Sequence, residues 1–194
     1  MAFDFSKINN LIKQTDISDV TSESSERPAK LPDGVYLCVI SEAKFDDSNA
    51  DGIDRLKITF TTVEDGTSTI IDETGTPTRV IAKKTANRKI FKTYKLETPE
   101  QYKKMCGDIL KFEDPTNPGV SCVDKDELQK DGEYLDLAIQ SIVLGEYRLF
   151  VQLSTTLNQG VPKSEPMTAE NSSQWPTPIS WKRAKAMGFS LDEE

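Results

Sequence analysis

Residues 89–111 read KIFKTYKLETPEQYKKMCGDILK, and their reading decides the fold. In the first eight, Ile90, Tyr94 and Leu96 fall on one side and Lys89, Phe91, Thr93 and Lys95 on the other, the period of two that marks a β-strand. Lys92 intrudes on the apolar side and must reach solvent at a rim or bulge. At Thr98 the period changes. Thr98 is a good N-cap, Pro99 suits the first helical position, and Gln101 closes a capping box. Tyr102, Met105, Cys106, Ile109 and Leu110 then form one apolar stripe, so a capped helix follows the strand.

Working outward, LPDGVYLCVISEAKF (31–45) reads as a turn at Pro32, Asp33 and Gly34 and a long strand from Tyr36 to Phe45. In RLKITFTTV (55–63), Leu56, Ile58 and Phe60 alternate with Arg55, Lys57, Thr59 and Thr61, a half-buried strand. The segment 64–78 reads as a loop with at most a short strand at Thr69 to Asp72, and strand character returns at Arg79 to Ala82. Downstream, 131–145 fits two templates. Leu135, Leu137 and Ile139 alternate, whereas Leu135, Ala138, Ile139, Ile142 and Val143 follow helical spacing, and the helix is favoured, with Gly145 just past its end. EYRLFVQLSTTLNQG (146–160) is a strand with Tyr147, Leu149, Val151 and Leu153 on one face, and a last strand is expected around Ile179 to Trp181. Three strands, a capped helix and then further strand is the element order of a mainly β protein with helices (α+β). The expected architecture is an OB-like (oligonucleotide-binding) five-stranded Greek-key barrel with the capped helix after strand three and a second helix before strand four. Other small α+β barrels share that order.

The chain of 194 residues is long enough for one domain with tails: a short helix and flexible linker over 1–30, a folded domain over 31–182, and a tail over 183–194 that ends in Asp192, Glu193 and Glu194. Its longest apolar runs are a few residues, and the N-terminus lacks a basic region followed by an apolar one, so no membrane span and a cytoplasmic location are expected. Cys38, Cys106 and Cys122 are odd in number and far apart, and the chain has no histidine. Ordinary zinc spacing, a disulfide scaffold and nucleophiles activated by histidine are thereby disfavoured. Asp47, Asn49, Asp51 and Gly52 open like a calcium loop, but the twelfth position is Ile58, so a plain hairpin turn is the better reading. No cofactor, no metal and no enzymatic activity are expected, with a metal-dependent nuclease the third-ranked alternative.

Charge supplies the functional signal. The net charge is −8, yet ten of the 24 Lys and Arg residues lie in 79–111, against three of the 32 acids. Such a patch attracts phosphates despite the net charge, because screening over ~8–10 Å limits what distant acids can do. The candidate nucleic-acid contacts are Arg79, Lys83, Lys84, Arg88, Lys89, Phe91, Lys92 and Lys95, extended by Lys57 and Arg148. Phe91 between Lys89 and Lys95 on a strand's outer side is a stacking platform. The competing reading makes Phe91 the cover of a helix or partner subunit.

With FDFS at the start, the strands at 31–45 and 55–66, YKKMCGDIL as the helix and LGEYRLFVQLSTTLNQG as the later strand and turn, the chain resembles the small bacteriophage single-stranded-DNA-binding proteins of OB fold over about residues 31–160. The resemblance implies sequence-independent binding of single-stranded DNA in phage DNA replication or recombination, in the host cytoplasm. It also implies recruitment of replication or recombination proteins through an acidic C-terminus, here the brief SLDEE with Phe189 upstream of the acids. Oligomeric state is left open. The rival is a phage-encoded protein-interaction module attached to a polymerase or recombinase, with Trp175 and Trp181 as its apolar surface.

Overall fold

The computed structural model describes residues 30–46, 52–71, 76–113, 120–129 and 132–189. The expected N-terminal helix and linker, the calcium-like Asp47, Asn49 and Asp51, and the terminal acids lie outside them. The chain divides into two units, residues 1–30 and 31–194.

Among the described residues of the second unit there are seven strands: β1 (Gly34–Asp46), β2 (Arg55–Thr62), β3 (Gly66–Ile71), β4 (Pro77–Ala82), β5 (Lys89–Lys95), β6 (Arg148–Leu157) and β7 (Ser172–Ile179). Helix α1 (Pro99–Ile109) follows β5, α2 (Gly132–Leu144) precedes β6, and α3 (Trp181–Ala186) follows β7. The sheet is antiparallel, in the order β4-β3-β1-β2-β5, with β6 on β1 and β7 on β6. The protein is therefore mainly β with helices. β1 is the hub, meeting β6 with residues 34–39 and β2 with residues 38–46. Its register shifts between Ile40 and Glu42, a bulge that bends the strand between its two partners.

Alternation in the sequence becomes burial in the fold. Leu56, Ile58 and Phe60 on β2, Leu149, Val151 and Leu153 on β6, and Tyr36, Cys38 and Ile40 on β1 all enter one core. There they meet Met105 and Ile109 of α1 and Leu135, Ile139 and Ile142 of α2. Each large apolar side chain so buried contributes roughly 1.5–3 kcal/mol. The cap of α1 forms as its sequence predicts: Gln101 N–H donates to Thr98 Oγ1 at 3.3 Å while Gln101 Oε1 accepts from the Thr98 N–H at 3.3 Å. α2 takes the helical reading of its two-way pattern.

Two features depart from the expected five strands. The segment 64–78, read as a loop with at most a short strand at 69–72, carries β3, which forms a hairpin with β4 over the strand expected at 79–82. Its Gly, Thr and Ser residues carry little apolar signal, and its seat is tertiary: a Cβ at Gly66 would lie 2.1 Å from the Tyr36 ring, and one at Gly34 would lie 2.4 Å from the Thr67 carbonyl oxygen. The last strand occupies 172–179 rather than 179–181. Pro176 and Pro178 argue against a strand interior, but β7 lies at the end of the strand order, where they are tolerated. Ser180 then caps α3, accepting from the Arg183 N–H at 3.3 Å. α3 and the residues after it cover a second core on the sheet's other face, in which Val35, Leu37, Phe150, Ile179 and Ala184 are buried.

β5 and β7 run alongside each other, yet among the described residues no ladder joins them. The carbonyls of Pro176 and Pro178 turn away from β6, since they accept from Lys92 Nζ at 2.5 Å and Lys111 Nζ at 2.8 Å. In an antiparallel strand the N–H of a residue points the same way as its C=O. Proline has none, so this edge of β7 lacks donors at both positions and lysine ammoniums bridge the seam instead.

Candidate nucleic-acid interface

Side chains of partnered residues in an antiparallel ladder share a face. On the outer side of β1, β2 and β5, away from the main core, the rows are Lys44, Lys57 and Thr93; Asp46, Arg55 and Lys95; Glu42, Thr59 and Phe91; and Val39, Thr61 and Lys89, the last continued by Arg148 on β6. Six cations and two acids thus stand on this face. Strands are about 4.8 Å apart, so the row from Lys89 to Arg148 spans roughly 14 Å. Phe91 projects from the middle of β5 with 68% of its surface exposed, while its neighbours in sequence Ile90 and Tyr94 are buried in the main core. Lys57 forms an ion pair with Asp46.

The seam forms the margin of this face. Lys92, which the sequence places among apolar neighbours, points into the seam, with 13% of its side chain exposed. Its ammonium donates to the Pro176 carbonyl and lies 3.4 Å from Asp108 Oδ2. Burial pulls Lys92 below the ordinary lysine pKa, and the charge of Asp108 works against that. Asp108 also accepts from Lys111 Nζ at 2.5 Å and from the Tyr94 hydroxyl at 2.9 Å. Burial, and then the charge of Asp108, push the Tyr94 phenol far up. This buried carboxylate anchors two lysines of the basic run.

The remaining expected contacts scatter. Arg79 stacks over the Phe189 ring, 4.7 Å from its centroid, and donates to the Met187 carbonyl. Lys83 and Lys84 are exposed on the loop between β4 and β5, which Asp65 organises by accepting backbone N–H groups of Thr85 at 2.7 Å, Ala86 at 2.9 Å and Lys84 at 3.2 Å. Arg88 is half-buried, with its backbone bonded to Thr62. The residues brought together on the outer face are therefore Lys57, Lys89, Phe91, Lys95 and, at its far end, Arg148.

Sequence reading left out of the candidate contacts three residues that the fold adds. Lys44 and Arg55 join through strand register, which no local pattern discloses. Trp175 joins through the seam: it is 59% exposed on β7 and lines, with Phe91, Lys95 and Lys104, a cleft of about 400 Å³. A tryptophan preceded by Ser172, Ser173 and Gln174 and followed by Pro176 and Pro178 was the available signal. All three cysteines are free thiols, and burial pushes the Cys38 thiol far up, which suits an inert core residue. Among the described residues no three His, Cys, Asp or Glu side chains gather as metal ligands, and no helix is long and apolar enough to cross a membrane. Compared with known proteins, the chain matches no protein-family model and no curated protein.

Proposed function

We propose that this protein binds single-stranded DNA without reading its sequence, acting by binding and not by catalysis, in the replication or recombination of phage DNA. The carrying observation is Phe91, an aromatic ring held out to solvent on a rigid strand within a face of six cations, in a chain of net charge −8. Ammonium and guanidinium groups hold phosphates and an exposed ring stacks on a base, which an intact duplex does not offer. The strand order β5-β2-β1-β6-β7 supports treating the sheet as an OB-like barrel with β3–β4 as an insertion and the β5–β7 seam as its lysine-bridged closure. Titration of labelled single- and double-stranded oligonucleotides at two salt concentrations tests the reading. Single strands should bind more tightly, with log affinity falling by about 0.7 per neutralised phosphate for each unit of log salt. Equal affinity for duplex, or no binding at low salt, overturns it.

A second reading, a protein-interaction module, draws on α2, where Leu137 and Leu144 are 64% and 83% exposed beside the partly exposed Tyr134.

A further inference from the structure

We infer that the cleft between β5 and β7 is a nucleotide subsite that takes one unpaired base against Trp175 and Phe91, with its flanking phosphates on Lys95 and Lys104. The inference rests on reading the outer face as a single-strand interface, and it states where the strand leaves that face.

The two tryptophans contrast. Trp181 is packed edge-on against Phe150, with centroids 5.3 Å apart, as part of the second core. Trp175 stands exposed on the strand at the open seam, flanked in sequence by Pro176, which is buried. Truncating it therefore sacrifices little packing. The cleft volume of about 400 Å³ falls in the range of small-molecule sites, and an adjoining hollow of about 430 Å³ continues it toward Gly107. Aromatic walls on both strands give a base a surface to stack on, and Lys95 and Lys104 carry the charge a phosphate needs.

Two amide side chains line the cleft, and the fold already engages both. Gln101 Oε1 accepts from the backbone N–H groups of Glu97 and Thr98, and Gln174 Nε2 donates to the Leu31 carbonyl and to Asp33. One end of each amide, Gln101 Oε1 and Gln174 Nε2, is thus held by the protein's own fold, which restricts how either side chain can turn toward a base edge. Asp108, the acid lining the hollow, faces Lys92 and Lys111 and so presents little repulsion to a phosphate.

A Trp181→Phe variant leaves Trp175 as the single tryptophan of the two in the chain. Thymidine oligonucleotides should quench its emission in step with binding measured by anisotropy. An abasic oligonucleotide of the same length should bind about 5- to 150-fold more weakly and leave the emission unchanged, and Trp175→Ala should lose affinity by a similar factor. Gly107→Glu is a second probe: a Cβ there meets nothing within 4 Å, so the variant should fold as the parent does, with an acid at the mouth that weakens oligonucleotide binding. Unchanged emission together with parental affinity in Trp175→Ala overturns the subsite and leaves the outer face intact. Absence of oligonucleotide binding by anisotropy at low salt, or equally tight binding of a polyglutamate peptide, overturns the underlying reading instead.

Discussion

The same face of one sheet is finished in two ways. Across β1, β6 and β7 it carries Leu37, Phe150 and Ile179 in one row, and α3 with Trp181, Met187 and Phe189 closes over them. Across β1, β2 and β5 it carries Lys44, Arg55, Lys57, Lys89 and Lys95, and no described helix covers it. Phe150 and Phe91 are thus aromatic residues on one sheet face with opposite fates: Phe150 is 5% exposed, with Phe189 5.7 Å away centroid to centroid, and Phe91 is left in water. Burial alone accounts for the first. Among the described residues the second stays largely exposed, and it is this exposure that the proposed stacking role draws on.

Truncating each ring separates the halves most sharply. Phe150→Ala should cost ~3–5 kcal/mol of folding stability, whereas Phe91→Ala should stay within about 0.5 kcal/mol of the parent and lose ~1–3 kcal/mol of oligonucleotide affinity. Urea denaturation and anisotropy on the same samples decide; a large stability loss at Phe91 would erase the contrast. The margin of the basic half is tested by Asp108→Ala, which strands Lys92 and Lys111 without their shared carboxylate. A buried partner removed in this way should cost about 3 kcal/mol. A loss below about 1 kcal/mol would mean that packing, not charge, holds the seam.

The smallest effect concerns the loop that presents Lys83 and Lys84. Backbone N–H groups of Ala86, Thr85 and Lys84 favour the ionised form of Asp65 and hold its carboxyl below its ordinary value of 3.8. A group depressed in the folded state contributes fully above its unfolded pKa and loses that contribution as pH falls through the folded one. Acidification below about pH 4 should therefore loosen the loop in the parent. Asp65→Asn should show lower amide protection factors in residues 83–88 at neutral pH and less further loss of protection on acidification. Equal protection factors at pH 6 and pH 3 in the parent, after correction for the intrinsic pH dependence of exchange, would show that Asp65 does not order the loop.

What the sequence discloses and what it withholds divide along physical lines. The face of β5 was legible because period-two alternation is local: Ile90 and Tyr94 are buried and Lys89, Phe91, Thr93 and Lys95 exposed, as the pattern requires. The capping box of α1 was legible for the same reason. Lys44 and Arg55 were not, because register across strands depends on the bulge at Ser41. Lys92 belonged to the basic run by composition, but its position on the inner face beside Asp108 turns it into a bridge across the seam. Arg79 is likewise drawn off, by a ring 110 residues away in the chain. Charge clustering identifies a region; tertiary neighbours decide which of its cations face outward.

The two prolines of β7 have a further consequence. Unpaired strand edges are templates for polymerisation, and a seam that is bridged by side chains leaves two such edges side by side. With no N–H at 176 or 178, β7 offers a foreign strand acceptors but no donors at these two positions. The edge is thereby protected against aggregation by the same prolines that deny the seam a ladder.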